Sequence, residues 1–273
     1  TTLIFRPQYR FSANDRENKG FQEGWGNDVL LNEKVSSGSS HNSQYNVTMM
    51  LQLSRKLSQK GRNVALKVDY GTNSSSNDRK NLSTTHYFKN DREDSKNQKI
   101  EDDINGYNYR VQLVYVEPLL WMHHLQLRYS YQYKVNNSDR FVYDWNEDLG
   151  EFTPDYDESA SNQFENQYSN HLLNLAVRTS RKKYNYNVGV DLEPQKSVSH
   201  SLLSDPPEEP LKRSVLNFSP TVNFRYKFSK RTRLQIVYRG KGRQPNVRDL
   251  QPVEDRTNPL NIRVGNPGLK PSY

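Results

Sequence analysis

The chain has 273 residues, 39 Lys and Arg against 31 Asp and Glu, a net charge of +8 and no cysteine; its mean hydropathy is −1.03. No apolar run approaches the roughly 18–20 residues of a membrane-crossing helix. The lack of Cys excludes disulfides, thiolate metal sites and a Cys nucleophile, and an aromatic content of 11% argues against disorder, which depletes aromatics. Basic and acidic residues are interspersed, and acids gather in patches such as Glu101-Asp102-Asp103. The positive excess therefore reads as a solvated surface, not as a nucleic-acid footprint.

Alternation of apolar and polar residues marks the strands. At the start, Leu3, Phe5, Tyr9 and Phe11 face one side, and Arg6, Gln8, Arg10 and Ser12 the other. Over 45–57, Val47, Met49, Leu51 and Leu53 oppose Asn46, Thr48, Gln52 and Ser54. Shorter segments follow at 63–70 and 107–116. The stretch 123–135 is the clearest: Leu125, Leu127, Tyr129, Tyr131 and Tyr133 oppose Gln126, Arg128, Ser130, Gln132 and Lys134. The same pattern recurs over 171–178, 184–193, 216–228 and 233–239. That makes about nine strands, most of about 9–13 residues. Soluble strands average about 5–6 residues, and a tilted strand crossing a bilayer needs about 9–11.

The connections alternate in length. Short turns are predicted at 58–61, just after 116, at 180–183 and at 229–231. Long polar segments occupy 13–44, 71–105, 136–167, 193–212 and 240 onward, always at the opposite end. Structureless loops of that length are uncommon in compact domains. Short turns on one side and long loops on the other are the asymmetry of bacterial outer-membrane barrels. The expected fold is all-β: an antiparallel up-and-down transmembrane β-barrel segment, its apolar face on outer-membrane lipid and lipopolysaccharide and its polar face on water. Tyr129, Tyr131 and Tyr133 would lie toward the outer interface. A soluble β-sandwich, as in a surface binding or adhesion protein, also alternates but buries its apolar rows against a second layer. Bacterial single-chain barrels use even strand numbers, and open edges are costly. The chain also opens within a strand, without initiator Met or export signal, so an interior section of a larger barrel is expected.

The most specific text is Arg243-Gln244-Pro245-Asn246-Val247-Arg248-Asp249-Leu250-Gln251-Pro252-Val253, then Asn258-Pro259-Leu260 and Gly265-Asn266-Pro267-Gly268-Leu269-Lys270-Pro271. It resembles the barrel of TonB-dependent outer-membrane receptors, particularly the Bacteroidetes type, where such a segment sits in an outer loop before a descending strand. Gly268 stands where that group has Asp or Asn. Gly189-Val190-Asp191-Leu192-Glu193-Pro194-Gln195 is similar barrel text. The resemblance implies a 22-stranded barrel with an N-terminal plug. Residues 1–273 would be part of that single barrel domain, with the plug and remaining strands absent. It further implies a nutrient (siderophore, vitamin, glycan or peptide) bound outside and passed inward, powered by the TonB complex through the plug. A surface lipoprotein partner is compatible with it; catalysis, cofactors and nucleic acid are not expected.

Candidate site residues carry plainer readings beside the functional ones. His123 and His124 point to opposite faces of a strand and cannot share an ion, so they read as turn-proximal interfacial side chains. His171 and His200, with serines nearby in sequence, form no identifiable hydrolase constellation. Asp155-Tyr156-Asp157-Glu158-Ser159 faintly suggests a calcium loop, but Ala160 replaces the needed Gly and Asn166 the terminal Glu. Trp25, Phe141, Tyr143, Trp145, Phe152 and Tyr156 could stack on a glycan or aromatic chelate, or on one another. Gly265-Asn266-Pro267 reads as a turn.

Overall fold

Among the described residues nine strands follow one another in space as they do along the chain. The computed structural model describes residues 1–58, 61–119, 123–203, 209–240, 249, 254–255, 262–266, 268–269 and 272. The elements are β1 (Thr2–Gly26), β2 (Val29–Lys56), β3 (Asn63–Tyr87), β4 (Arg92–Pro118), β5 (His123–Asn146), β6 (Glu151–Phe152), β7 (Asn162–Ser180), β8 (Tyr184–Ser201), β9 (Leu211–Lys227), β10 (Arg233–Arg239), β11 (Glu254–Asp255) and β12 (Arg263–Val264). The sheet order is β1-β2-β3-β4-β5-β7-β8-β9-β10, every pair antiparallel. The short β6 pairs with the end of β5, and β11 with β12. Each of the nine segments read from alternation falls on one strand of this meander, with Leu57 and Phe228 one residue past the ends of β2 and β9.

The strands are much longer than the alternation indicated. β2 has 28 residues and β4 has 27. The polar segments 13–44 and 71–105 are not loops: β1 pairs with β2 up to Gly26↔Val29, and β3 with β4 up to Tyr87↔Arg92. Asn27 and Asp28 close the first hairpin with φ of 50° and 61°, the left-handed pair of a two-residue type I′ turn. Residues 88–91 close the second. Both faces of these extensions are largely polar, so no period-two hydropathy marks them. The ladder laid down below continues regardless, helped by the Thr72 hydroxyl donating to the Gly106 carbonyl (3.0 Å) and by an Arg79–Asp102 ion pair. The 136–167 segment keeps a long irregular stretch, 147–161, around β6. Gln59, Lys60, residues 120–122 and 204–208 lie outside the described residues.

Register decides what each face carries. One row of directly opposite residues runs Leu3, Leu53, Leu66, Leu113, Tyr129, Leu173, Leu192, Phe218 across eight strands. All eight are exposed, and among the described residues no second layer covers them. The polar rows are the crowded ones: Asn174 is 4% exposed and Ser130 6%, whereas Leu175 and Leu113 are each 46% exposed. A soluble sandwich shows the reverse, so the sandwich expectation fails. The sheet turns its oily side outward and packs polar side chains against one another on the inner side.

Aromatic side chains gather at both ends of the apolar band. Tyr107, Tyr109, Tyr131, Tyr133 and His171 form a chain of rings with centroids 4.8–6.4 Å apart toward the long-strand end. His123 with Tyr186 (5.8 Å) and Tyr226 with Phe228 (4.8 Å) mark the short-turn end. From Tyr107 to Tyr115 along β4 is about 27 Å at about 3.4 Å per residue. Tilting reduces that to near the roughly 25 Å apolar band of outer-membrane barrels.

The tilt itself can be read from the pairing. The hydrogen-bonded row starting at Lys56, the last residue of β2, arrives at Thr221 on β9, six residues short of Lys227, where β9 ends. Six inter-strand steps separate the two strands, so the band slides by about one residue per strand. A slide of about 3.4 Å over a spacing of about 4.8 Å gives a tilt of about 35°, the stagger that a closed barrel requires.

Two features of the short-turn end give testable consequences. Gly189 backs onto β7 so closely that a Cβ would stand 2.7 Å from the Ala176 Cβ and 2.8 Å from the Leu175 carbonyl oxygen. Gly189→Val should cost about 1–3 kcal/mol, seen as a lower temperature at which the compact, heat-modifiable band disappears on a gel. Next, Arg62 grips Glu117 through Nε (2.7 Å) and Nη2 (2.5 Å), and Tyr115 also donates to that carboxylate. These hydrogen bonds, Arg62 first, hold the Glu117 carboxyl below its ordinary 4.5. A depressed carboxyl contributes stability above its unfolded pKa and loses it as pH falls through the folded one. Between about pH 5 and pH 3, wild type should therefore lose more thermal stability than Glu117→Gln.

Candidate functional site

The inner, polar face offers the concave wall. At its short-turn end β5, β7, β8 and β9 border an open hollow of about 370 Å³ lined by Gln126, Arg128, Arg178, Asn185, Asn187 and Asn223, together with Thr179 and Tyr186. Register builds it: Arg178 lies opposite Asn187, which lies opposite Asn223, and one row higher Gln126 faces Ala176 and Ala176 faces Gly189. The small pair Ala176 and Gly189 leaves the room that the long side chains border. Arg128 donates to the Asn174 amide oxygen (3.3 Å), and Asn174 in turn to Asp191 (2.5 Å).

Above the band the inner face carries amides, hydroxyls and a few charges. Gln98 donates to Asp144 (2.8 Å), and Asp102 sits between Arg79 and Arg140. Lys34 is lowered from its ordinary 10.5, first by burial and then by the like charge of Lys96. Ile100 and Val142, opposite one another on β4 and β5, are the most covered side chains among the described residues, and Phe164 on β7, opposite Ser138, is also buried. The 153–161 segment is tied alongside: the N–H of Asp157 donates to the Val142 carbonyl (2.7 Å) and the N–H of Val142 to the Ser161 hydroxyl (3.0 Å). These apolar inner residues lie in stretches that alternation alone leaves as loop.

The sequence candidates fall as follows. Phe141 packs on Tyr156 and Trp145 edge-on to Phe152, each at 5.1 Å. Lys99 stands over Tyr143 at 5.6 Å and Lys80 over Phe152 at 5.9 Å. Five of the six aromatics thus share one region, and the parity of β5 puts Phe141, Tyr143 and Trp145 on the outer wall, away from the hollow. Trp25 stands apart at the tip of the first hairpin, donating to Glu23 (3.0 Å). On this outer wall Glu101 accepts a hydrogen bond from Lys99 and raises the lysine above its ordinary 10.5.

The histidines stay separate. Tyr186 and His123 share a 2.8 Å hydrogen bond, and so do Tyr129 and His171. His124 takes the opposite face from His123, beside Gly61. His200 faces Glu165, six positions along β7 from His171. In the acidic loop, Asp157 accepts from the backbone and hydroxyl of Ser159 (2.8 and 2.7 Å), a turn-stabilising use of the carboxylate. Among the described residues no group of three or more His, Asp or Glu is placed to hold a metal ion. Asn266 accepts from the Gly268 N–H (2.8 Å); Pro267 of the Gly-Asn-Pro text lies outside the described residues. Most of the stretch 243–271 lies outside the described residues.

A wall of this kind, lipid-facing rows outside and polar rows inside at barrel stagger, has a match by sequence as well. Residues 55–273 match the model of the outer membrane protein β-barrel family. The chain belongs to that family. This outer-membrane barrel chain has no match among curated proteins. Similar solved structures include the ferric preacinetobactin receptor BauA of Acinetobacter baumannii (TM-score 0.48, 8% identity, covering 82% of this chain and 39% of that one). They also include the siderophore receptor PiuA of the same organism (0.39, 9%, 88% and 47%) and the alcaligin outer-membrane receptor FauA of Bordetella pertussis (0.36, 10%, 89% and 44%). The barrel chain spans less than half the length of each.

Proposed function

We propose that this chain is part of the barrel wall of a TonB-dependent outer-membrane receptor of the Bacteroidetes type, which binds and imports a nutrient. In this reading residues 1–273 belong to one barrel domain of about 22 strands, and a plug and further strands complete it. The observation that carries the reading is the inside-out sheet: apolar rows outward between two aromatic girdles, polar rows crowded inward, at a stagger of about one residue per strand. The edges of β1 and β10 are unpaired among the described residues. Lipid satisfies no backbone group, so both edges call for further strands. Nine strands that do not close also make the finished barrel wide, and wide barrels hold a channel or a plug.

The partners follow. Lipid and lipopolysaccharide meet the outer wall, the TonB complex acts through the plug, and a surface lipoprotein is compatible with the long extensions. Siderophore, vitamin, glycan and peptide all fit a receptor of this kind, and the wall does transport, not catalysis. The test is uptake by the source cells. Deleting the gene should abolish growth on one limiting nutrient, and deleting the inner-membrane energy coupler should give the same loss. Unchanged uptake without the coupler would overturn the proposal.

A further inference from the structure

The positive charge of the chain is sorted by face. At the depth of the apolar band the inner wall carries, among the described residues, ten Lys and Arg, among them Arg6, Arg110, Arg128, Lys134, Arg178 and Arg225, against three carboxylates, Asp69, Asp191 and Glu193. On the outer wall above the band the balance reverses: Asp15, Asp78, Glu101, Asp103 and Asp139 stand with His41, Lys80 and Lys99. Three guanidinium groups at band depth direct donors to amides. Arg110 donates to Gln132 (2.8 Å), Arg128 to Asn174 (3.3 Å) and Arg225 to Gln235 (3.5 Å), all neutral amides. The Nε of Arg225 is buried with no hydrogen-bond partner. At this depth Lys67 pairs with Asp69, while the Arg79–Asp102–Arg140 cluster lies above the band.

We infer that the hollow between Arg128 and Arg178 is a binding site for a small multivalent anion bearing carboxylate or phosphate groups. Two guanidiniums and four side-chain amides (Gln126, Asn185, Asn187 and Asn223) border a space of about 370 Å³. Guanidinium presents paired N–H donors that fit a carboxylate or phosphate edge, and amides bind the remaining oxygens without adding charge. The surrounding wall, cationic with low-dielectric lipid behind it, concentrates anions toward the hollow. A neutral sugar needs no such charge, and a cationic solute is repelled.

The inference deepens the proposed function, since it rests on the inner face being the wall of an uptake path, and it is tested separately from energy coupling. The full-length protein in detergent is titrated with citrate and with maltotetraose by calorimetry, with folding checked by heat-modifiable gel mobility. Citrate should bind and maltotetraose should not. Binding should weaken steeply with added salt, drop about tenfold or more in the folded double variant Arg128→Gln/Arg178→Gln, and return in part in Arg128→Lys/Arg178→Lys. If citrate fails to bind, the cations serve another purpose, such as holding an acidic segment of the plug, and the inference is wrong. Citrate binding equal in wild type and the double glutamine variant overturns it as well. Citrate binding without coupler-dependent uptake would leave this site standing and remove the transport reading.

Discussion

Leu113→Arg is expected to destabilise the membrane-inserted protein by about 2–4 kcal/mol, the cost of a cation on the lipid face near the bilayer midplane. Leu113 sits between Leu66 and Tyr129, midway between the two aromatic girdles, with nearly half its surface open. Its neighbour Gln112 faces the inner wall among cations and amides, so Gln112→Glu should stay within about 0.5 kcal/mol. A buried soluble core would also reject arginine, so a third variant separates the cases. Leu113→Trp enlarges a side chain that meets only lipid and should cost little, whereas overpacking a closed core costs about 1–3 kcal/mol. Urea titration in phospholipid vesicles reads all three.

A proline in the hairpin extension tests the other large departure from expectation. Ser83 in β3 pairs with Ser36 of β2 and Lys96 of β4, well above the apolar band and in a stretch that reads as loop by hydropathy. If the extension is a true ladder, Ser83→Pro removes a sheet hydrogen bond from a central strand and forces its neighbours apart, costing about 3 kcal/mol locally. That corresponds to roughly a hundredfold faster hydrogen exchange for amides of 74–86 and 93–105. The band below, held by its own register, should keep its protection. Were the segment a solvated loop, its amides would exchange fast in wild type and the proline would change nothing.

How much of this could be read beforehand depends on what each face touches. Leu127, Tyr129 and Tyr131 against Arg128, Ser130 and Gln132 announce a strand because lipid and water impose opposite demands on its sides. Above the girdle both sides are largely polar. Ser36, Ser37, Gly38, Ser39 and Ser40 then satisfy both faces, and the alternation vanishes while the strand does not. One local signal was available: Asn27-Asp28 between Gly26 and Val29 is good chemistry for a two-residue turn, which would have closed the first hairpin far from the membrane. The aromatic candidates were legible as a group but not in their aim, because only the parity of β5 sends Phe141, Tyr143 and Trp145 outward. The hollow was not legible at all. Arg128, Arg178, Asn187 and Asn223 come from four strands, and only pairing brings them together.

The central claim is that odd and even positions of one strand meet lipid and water respectively. The chain contains no cysteine, so single Cys substitutions at 110 to 115 in β4 each introduce its one thiol for a nitroxide spin label. In vesicles, labels at 111, 113 and 115 should collide readily with lipid-soluble oxygen and poorly with a water-soluble nickel chelate, and labels at 110, 112 and 114 should do the opposite. Labels at 111, 113 and 115 shielded from both relaxers would contradict the account, because those positions would then lie in a closed protein interior.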